Sequence, residues 1–125
     1  MRNLSLALLA AALIPAAASA QPAKPAPQCF FDRDWRGWKA ESDKVMYIRV
    51  DLNKIYKVGF SAGCPGLTSP SAHLVTHSRS GSVCSALDLD IKVSDLQGFS
   101  TPCIASSLTP LTPQEAAALP KKLRP

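Results

Sequence analysis

Residues 44–60 read KVMYIRVDLNKIYKVGF, two alternating runs either side of a polar break. In the first run Met46, Ile48 and Val50 share one face, and Tyr47 and Arg49 share the other. In the second, Tyr56, Val58 and Phe60 share a face. Period-two alternation in β-branched and aromatic residues predicts strands, and Asp-Leu-Asn between them predicts the turn of a hairpin. VCSALDLDIKV (83–93) alternates in the same way. Leu87, Leu89, Ile91 and Val93 are expected to face inward, with Asp88, Asp90 and Lys92 outward. AHLVTH (72–77), CFF (29–31) and CIASSL (103–108) are shorter strand candidates. SAGCPGLTSPS (61–71), SRSGS (78–82) and SDLQGFSTP (94–102) carry the Gly, Pro and Ser signals of loops.

The final segment changes period. Thr112, Pro113 and Glu115 have the spacing of an N-cap, a first-turn proline and a capping-box glutamate. A short helix is expected to run to Leu119 and stop at Pro120, followed by the basic tail KKLRP. The fold class expected is mainly β. Five to six short strands would form a small antiparallel barrel or sandwich, stapled by disulfides, with a short C-terminal helix.

At the other end, MRNLSLALLAAALIPAAASA has Arg2, an apolar stretch and a small-x-small Ala18-Ser19-Ala20 site. This is the pattern of a cleavable secretory signal peptide, and its apolar run is short for a membrane span. The organisation expected is a signal peptide over 1–20, a Pro-rich leader over 21–28, a small β domain over 29–111, and a helix with a basic tail over 112–125. Cleavage near Ala20 would release the chain to the periplasm or the exterior, with no transmembrane segment remaining. Removing 20 of 125 residues leaves 105, and removing Arg2 takes the formal charge from +5 to +4. One modest domain fits that length. The positive balance, concentrated at Lys121, Lys122 and Arg124, favours anionic partners. Anionic lipid, lipopolysaccharide, cell wall or an envelope protein are the partners considered. Nucleic acid is not expected, since no basic–aromatic motif accompanies the charge.

Four cysteines, Cys29, Cys64, Cys84 and Cys103, read as a disulfide framework in a short exported chain. Three pairings are open. The expected one is Cys64–Cys84 with Cys29–Cys103, a local loop nested within a tie between the domain ends. Cys64, His73, His77 and Cys84 are, by type, a tetrahedral zinc set. On a strand, however, His73 and His77 would stand about 13 Å apart, too far to converge on one ion. No metal and no cofactor are therefore expected. Asp88 and Asp90 would sit about 6–7 Å apart on one strand face, but no further acidic partners surround them.

Trp35 and Trp38 flank Gly37 in what reads as a charged loop, near Arg36 and Lys39. They would form a sugar-stacking platform or close the end of the core. With Tyr47 and Arg49 they make the candidate ligand-binding residues. No catalytic motif is present, so no catalytic residue is assigned. The leading expectation is non-enzymatic binding or a structural role in the bacterial envelope. The alternatives are a metal- or carboxylate-dependent hydrolase using His73, His77, Asp88 or Asp90, and an inhibitor of an exported enzyme using the Cys64–Cys84 loop.

The order of these features resembles domain-of-unknown-function family 6491, a group of small exported bacterial proteins. The resemblance covers about residues 29–120. It rests on Cys29, the hairpin KVMYIRVDLNKIYKVGF, the corner CPGL (Cys64–Leu67), VCSALDLDIKV, and Cys103 before its short strand. Where the family often has Gly-Asp soon after the third cysteine, this chain has Ser-Ala-Leu-Asp. The resemblance implies an exported, small, β-rich domain and carries over no catalytic residue.

Overall fold

The hairpin over 44–60 forms as its alternation predicts. β3 (Val45–Val50) pairs antiparallel with β4 (Lys54–Phe60), placing Met46 opposite Val58 and Ile48 opposite Tyr56. Met46, Ile48, Val50 and Val58 are wholly buried. Burial of each such side chain stabilises the fold by about 1.5–3 kcal/mol. The turn between the strands holds Asp51 at a φ of 53°, a left-handed conformation that aspartate tolerates better than most residues.

The structure, a computed structural model, describes residues 28–125. The expected signal peptide and residues 21–27 of the leader lie outside the described residues. The remaining strands are β1 (Phe30–Phe31), β2 (Trp35–Ala40), β5 (His73–Ser78), β6 (Ser82–Val83), β7 (Leu89–Ser94), β8 (Ser100–Cys103) and β9 (Ala105–Pro110). They make three antiparallel sheets, ordered β2-β3-β4-β9, β5-β7-β8 and β1-β6. The class is mainly β, as expected, and the sheets pack as a small sandwich without closing into a barrel. The nine strands among the described residues exceed the five or six expected because β2 and β8 form in stretches that read as loop and β6 is separate from β7.

One core joins all three sheets. It includes Ile48, Val58 and Phe60 from the four-stranded sheet, Ile91 and Val93 from the three-stranded sheet, and Phe30 and Val83 from the shortest. The Phe30 and Tyr56 rings lie 4.9 Å apart, and the Tyr56 hydroxyl donates to the Gln28 carbonyl. The chain passes between sheets at a single residue. Cys103 ends β8 and Ala105 begins β9, both facing the core, while Ile104 between them is 73% exposed.

The disulfides are Cys29–Cys84 and Cys64–Cys103, which corrects the nested pairing expected from spacing. The reason is strand register. Phe30 pairs with Val83, so Cys29 and Cys84 occupy the next position of the same ladder. Cys64, fully buried, instead meets Cys103 at the crossing between sheets. The pairs interleave, with sequence separations of 55 and 39. Loops of that size stabilise a fold by about 4 kcal/mol each in the chain-entropy treatment. A Cys64–Cys84 loop, the proposed wedge of the inhibitor alternative, does not exist.

The C-terminal helix, α1 (Pro113–Ala118), begins as its sequence predicts. The Glu115 N–H donates to the Thr112 hydroxyl at 3.2 Å, and the Thr112 N–H donates to the Glu115 carboxylate at 2.7 Å. No helix among the described residues is long and apolar enough to cross a membrane.

Candidate functional site

Trp35 and Trp38 lie on β2, not in a loop. Trp35 pairs with Val50 and Trp38 with Ile48, both residues of the core face. Two residues three apart reach one face because a bulge between Trp35 and Gly37 inserts an extra position. That insertion breaks the period-two pattern by which the strand would have been read. Both tryptophans are half-buried against the core. Tyr47 and Arg49 point to the opposite side of the sheet. The structure therefore splits the four candidate ligand residues into two pairs, separated by the sheet itself.

On the outer face, Lys39, Tyr47, Lys57 and Thr109 form one row across β2, β3, β4 and β9. Lys39 and Lys57 are exposed, whereas Tyr47 between them is 6% exposed. Its hydroxyl donates to the Glu41 carboxylate at 2.8 Å. Burial, reinforced by Glu41, pushes the Tyr47 hydroxyl up to about 12. The neighbouring row holds Gly37, Arg49 and Ile55.

The C-terminal segment crosses this face as a strap. The Leu111 N–H donates to the Ile55 carbonyl at 2.8 Å. Farther on, a 3₁₀ turn over Lys121–Leu123 packs near β2, with Leu123 only 8% exposed. A side chain at Gly37 would approach the Pro125 carbonyl carbon to 3.8 Å, so the end of the strap lies over that glycine. Arg124 folds back and donates to the carbonyls of Ala117 and Leu119 at 2.7 and 2.9 Å. It thereby satisfies acceptors that the end of a helix leaves open. Arg49 Nε is buried with no hydrogen-bond partner among the described residues. The basic tail is thus folded onto the domain, with Lys121 and Lys122 still exposed.

On the core side, a cleft of about 310 Å³ opens between β2 and the loop from Cys64 to Ala72. Trp38, Lys39 and Ala40 form one wall; Leu67, Thr68, Ser69, Pro70 and Ala72 form the other. Leu67 is 1% exposed and anchors that second wall in the core. Successive turns fix it further: Leu67, Ser69 and Ala72 donate their N–H groups to the carbonyls of Cys64, Gly66 and Ser69.

Of the residues of the hydrolase alternative, only His77 and Asp90 are brought together, as cross-strand neighbours. His73 and His77 are exposed on β5, opposite Ser94 and Asp90 respectively. Asp88 does not share a strand face with Asp90, because residues Ala86–Asp88 form a 3₁₀ turn before β7 begins. Its carboxylate accepts from the N–H groups of Cys84 and Ser85 and from the Ser85 hydroxyl. Those bonds, led by that from Cys84, lower its pKa below the ordinary 3.8. Leu87, expected inward, is 84% exposed for the same reason. The thiols of Cys64 and Cys84 are in disulfides with other partners. Among the described residues, no group of three or more His, Cys, Asp or Glu side chains is placed to hold a metal.

Sequence reasoning missed Lys57 and the loop wall of Thr68, Ser69 and Pro70. The signal for Lys57 was available, since it shares parity with Ile55 in a strand already recognised. The loop wall had no periodicity to announce it.

These features define a small, mainly β, disulfide-bonded domain whose cross-links suit an oxidising compartment. The chain belongs to the family described as "Family of unknown function (DUF6491)", whose profile matches residues 1–125. Comparison with curated proteins gives no match, and neither does comparison with solved structures.

Proposed function

We propose that this domain is a non-catalytic binding module of the bacterial envelope, exported to the periplasm or beyond. It attaches to a phosphate-bearing lipid surface through the outer face of the four-stranded sheet. The observation that carries this reading is the convergence of exposed lysines from distant parts of the chain. Lys39 and Lys57 stand in one cross-strand row, and the strap adds Lys121 and Lys122 above the same face. Each lysine near an anionic surface contributes about 1 kcal/mol, so four acting together give useful affinity where three on a loose tail would not. A catalytic role finds less support, because the titratable candidates are dispersed or locked in structural bonds.

The test is co-sedimentation with vesicles of phosphatidylglycerol against vesicles of phosphatidylcholine. Binding is expected only to the former and is expected to weaken as salt screens the charges. Substituting Lys39, Lys57, Lys121 and Lys122 together by Gln should abolish it. Equal binding by that variant, or binding indifferent to lipid charge, would overturn the reading.

A further inference from the structure

The cleft beside Trp38 opens at the edge of the four-stranded sheet, where Lys39 is the one member of the lysine row that borders it. Its first wall belongs to an edge strand, since among the described residues β2 is hydrogen-bonded on one side only, to β3. The Glu41 N–H donates to the Val45 carbonyl. Hydrogen bonding alternates along an antiparallel pair, so Lys39 is the next residue of β2 bonded to β3. The N–H and C=O groups of Trp38 and Ala40 then point away from β3, along the free edge. The cleft thus combines an aromatic ring, edge backbone donors and acceptors, and the hydroxyl-bearing residues Thr68 and Ser69.

The second wall is preorganised. Gly63, at a φ of 79°, turns the chain so that the Cys64 N–H reaches the Asp43 carbonyl at 2.6 Å. The Cys64–Cys103 disulfide ties the same point to the crossing between sheets. Ser69 is fixed from both sides: its N–H donates to Gly66, and its hydroxyl lies 3.1 Å from that of Ser71. Pro70 adds a locked backbone. A ligand entering here would find its partners already placed, which lowers the entropic cost of binding.

We infer that the cleft between Trp38 and the Thr68–Pro70 loop is a binding site for the pyranose rings of an oligosaccharide. A pyranose has an apolar C–H face that matches the exposed side of an indole, and equatorial hydroxyls that both donate and accept. Serine and threonine hydroxyls and edge backbone groups are complementary to those in both senses. The volume, about 310 Å³, lies at the lower end of the range of small-ligand sites and suits one or two rings. An added peptide strand fits less well, because only a short stretch of β2 borders the cleft and the Leu67–Ala72 loop runs alongside it.

Titration calorimetry and tryptophan fluorescence with an N-acetylglucosamine trimer and with cellotriose test this. At least one should bind saturably in the millimolar range or tighter and perturb the tryptophan emission. Trp38→Ala should weaken binding about tenfold, the scale of one lost stacking partner. Because Trp38 also touches the core, Ser69→Ala provides a second variant that keeps the ring and should weaken binding several-fold. Trp35→Phe, outside the cleft, should leave it unchanged. Absence of saturable binding to both sugars overturns the assignment. So does binding indifferent to both cleft substitutions, or binding of a blocked extended tetrapeptide in place of the sugars. Because Lys39 borders the cleft, the two readings are separated with Lys57→Gln, Lys121→Gln, Lys122→Gln, which should weaken lipid binding and keep sugar binding, and with Ser69→Ala, which should do the reverse.

Discussion

Cys29 stands directly across from Cys84, one step beyond the Phe30–Val83 pair in the same ladder. Both residues are exposed, while Cys64 and Cys103 are buried at 0% and 4% exposure. The two disulfides should therefore differ in chemical access. A mild thiol reductant without denaturant is expected to open Cys29–Cys84 first. Alkylation followed by peptide mass mapping would locate the released thiols. Simultaneous opening of both bonds would contradict the assignment of burial. The double substitution Cys29→Ser, Cys84→Ser should lower stability by about 4 kcal/mol, read from denaturant unfolding.

Tyr47 is expected to titrate late. Its hydroxyl is held up to about 12, so the native state retains a proton that the unfolded chain loses near 10. The sign follows from linkage: the native state binds more protons between those values, so stability falls as pH rises across the window. Below the unfolded value the contribution is fully present. Burial also raises the pKa of the Tyr56 hydroxyl, so tyrosinate absorbance should show both tyrosines ionising late, and Tyr47→Phe should reduce the alkaline loss of stability. A Tyr47 that ionises near 10, the value in the unfolded chain, would refute its burial beside Glu41.

Asp88 acts at the opposite end of the pH scale. Three hydrogen bonds hold its carboxylate charged, so its pKa lies below 3.8 in the native state. The stability it contributes is present above the unfolded value and lost as pH falls through the lowered one. Asp88→Asn should lower stability at neutral pH and flatten its acid dependence, measured by denaturant unfolding across a pH series. An unchanged acid profile would remove Asp88 from its capping role.

Arg124 pins the strap through two backbone carbonyls. Arg124→Ala should cost on the order of 1 kcal/mol, the low end for hydrogen bonds from an exposed charged group. Amide exchange should accelerate in α1 while the β3–β4 hairpin keeps its protection. Uniform acceleration across the domain would mean that the strap and the sheets open together.

The parts of this fold that were legible in the sequence are those with local causes. The β3–β4 hairpin follows from alternation, and α1 from the Thr112–Glu115 box, each decided within a few residues. The cysteine pairing was not legible, because it depends on β1 meeting β6 more than 50 positions along, a contact that spacing alone does not encode. β2 was hidden by its bulge, which places Trp35 and Trp38 on one face at an interval no regular strand allows. Asp88 was misread for a similar reason: the alternation through Leu87 is real in the letters, but the Ser85–Asp88 bonds bend that stretch into a turn. The candidate site fared likewise. Trp38 was visible as a residue type, while its partners Ser69 and Pro70 come from a loop whose position is decided by Leu67 and Cys64 in the core.

The switch between sheets at Ile104 has a kinetic consequence. β4 has one neighbour close by in the chain and another, β9, that begins only after residues 61–104 have been traversed; Phe60 and Ala105 are paired across that gap. The four-stranded sheet is completed late, by a contact of large sequence separation, so the contact order is high and folding slow for the domain's size. Until β9 docks, β4 presents a bare edge beside Val58 and Phe60, the side chains most prone to association with another chain. Formation of Cys64–Cys103 brings the two ends of that gap together and shortens the search. Oxidation of this buried pair is thus expected to protect the chain from aggregation as well as to hold the finished fold.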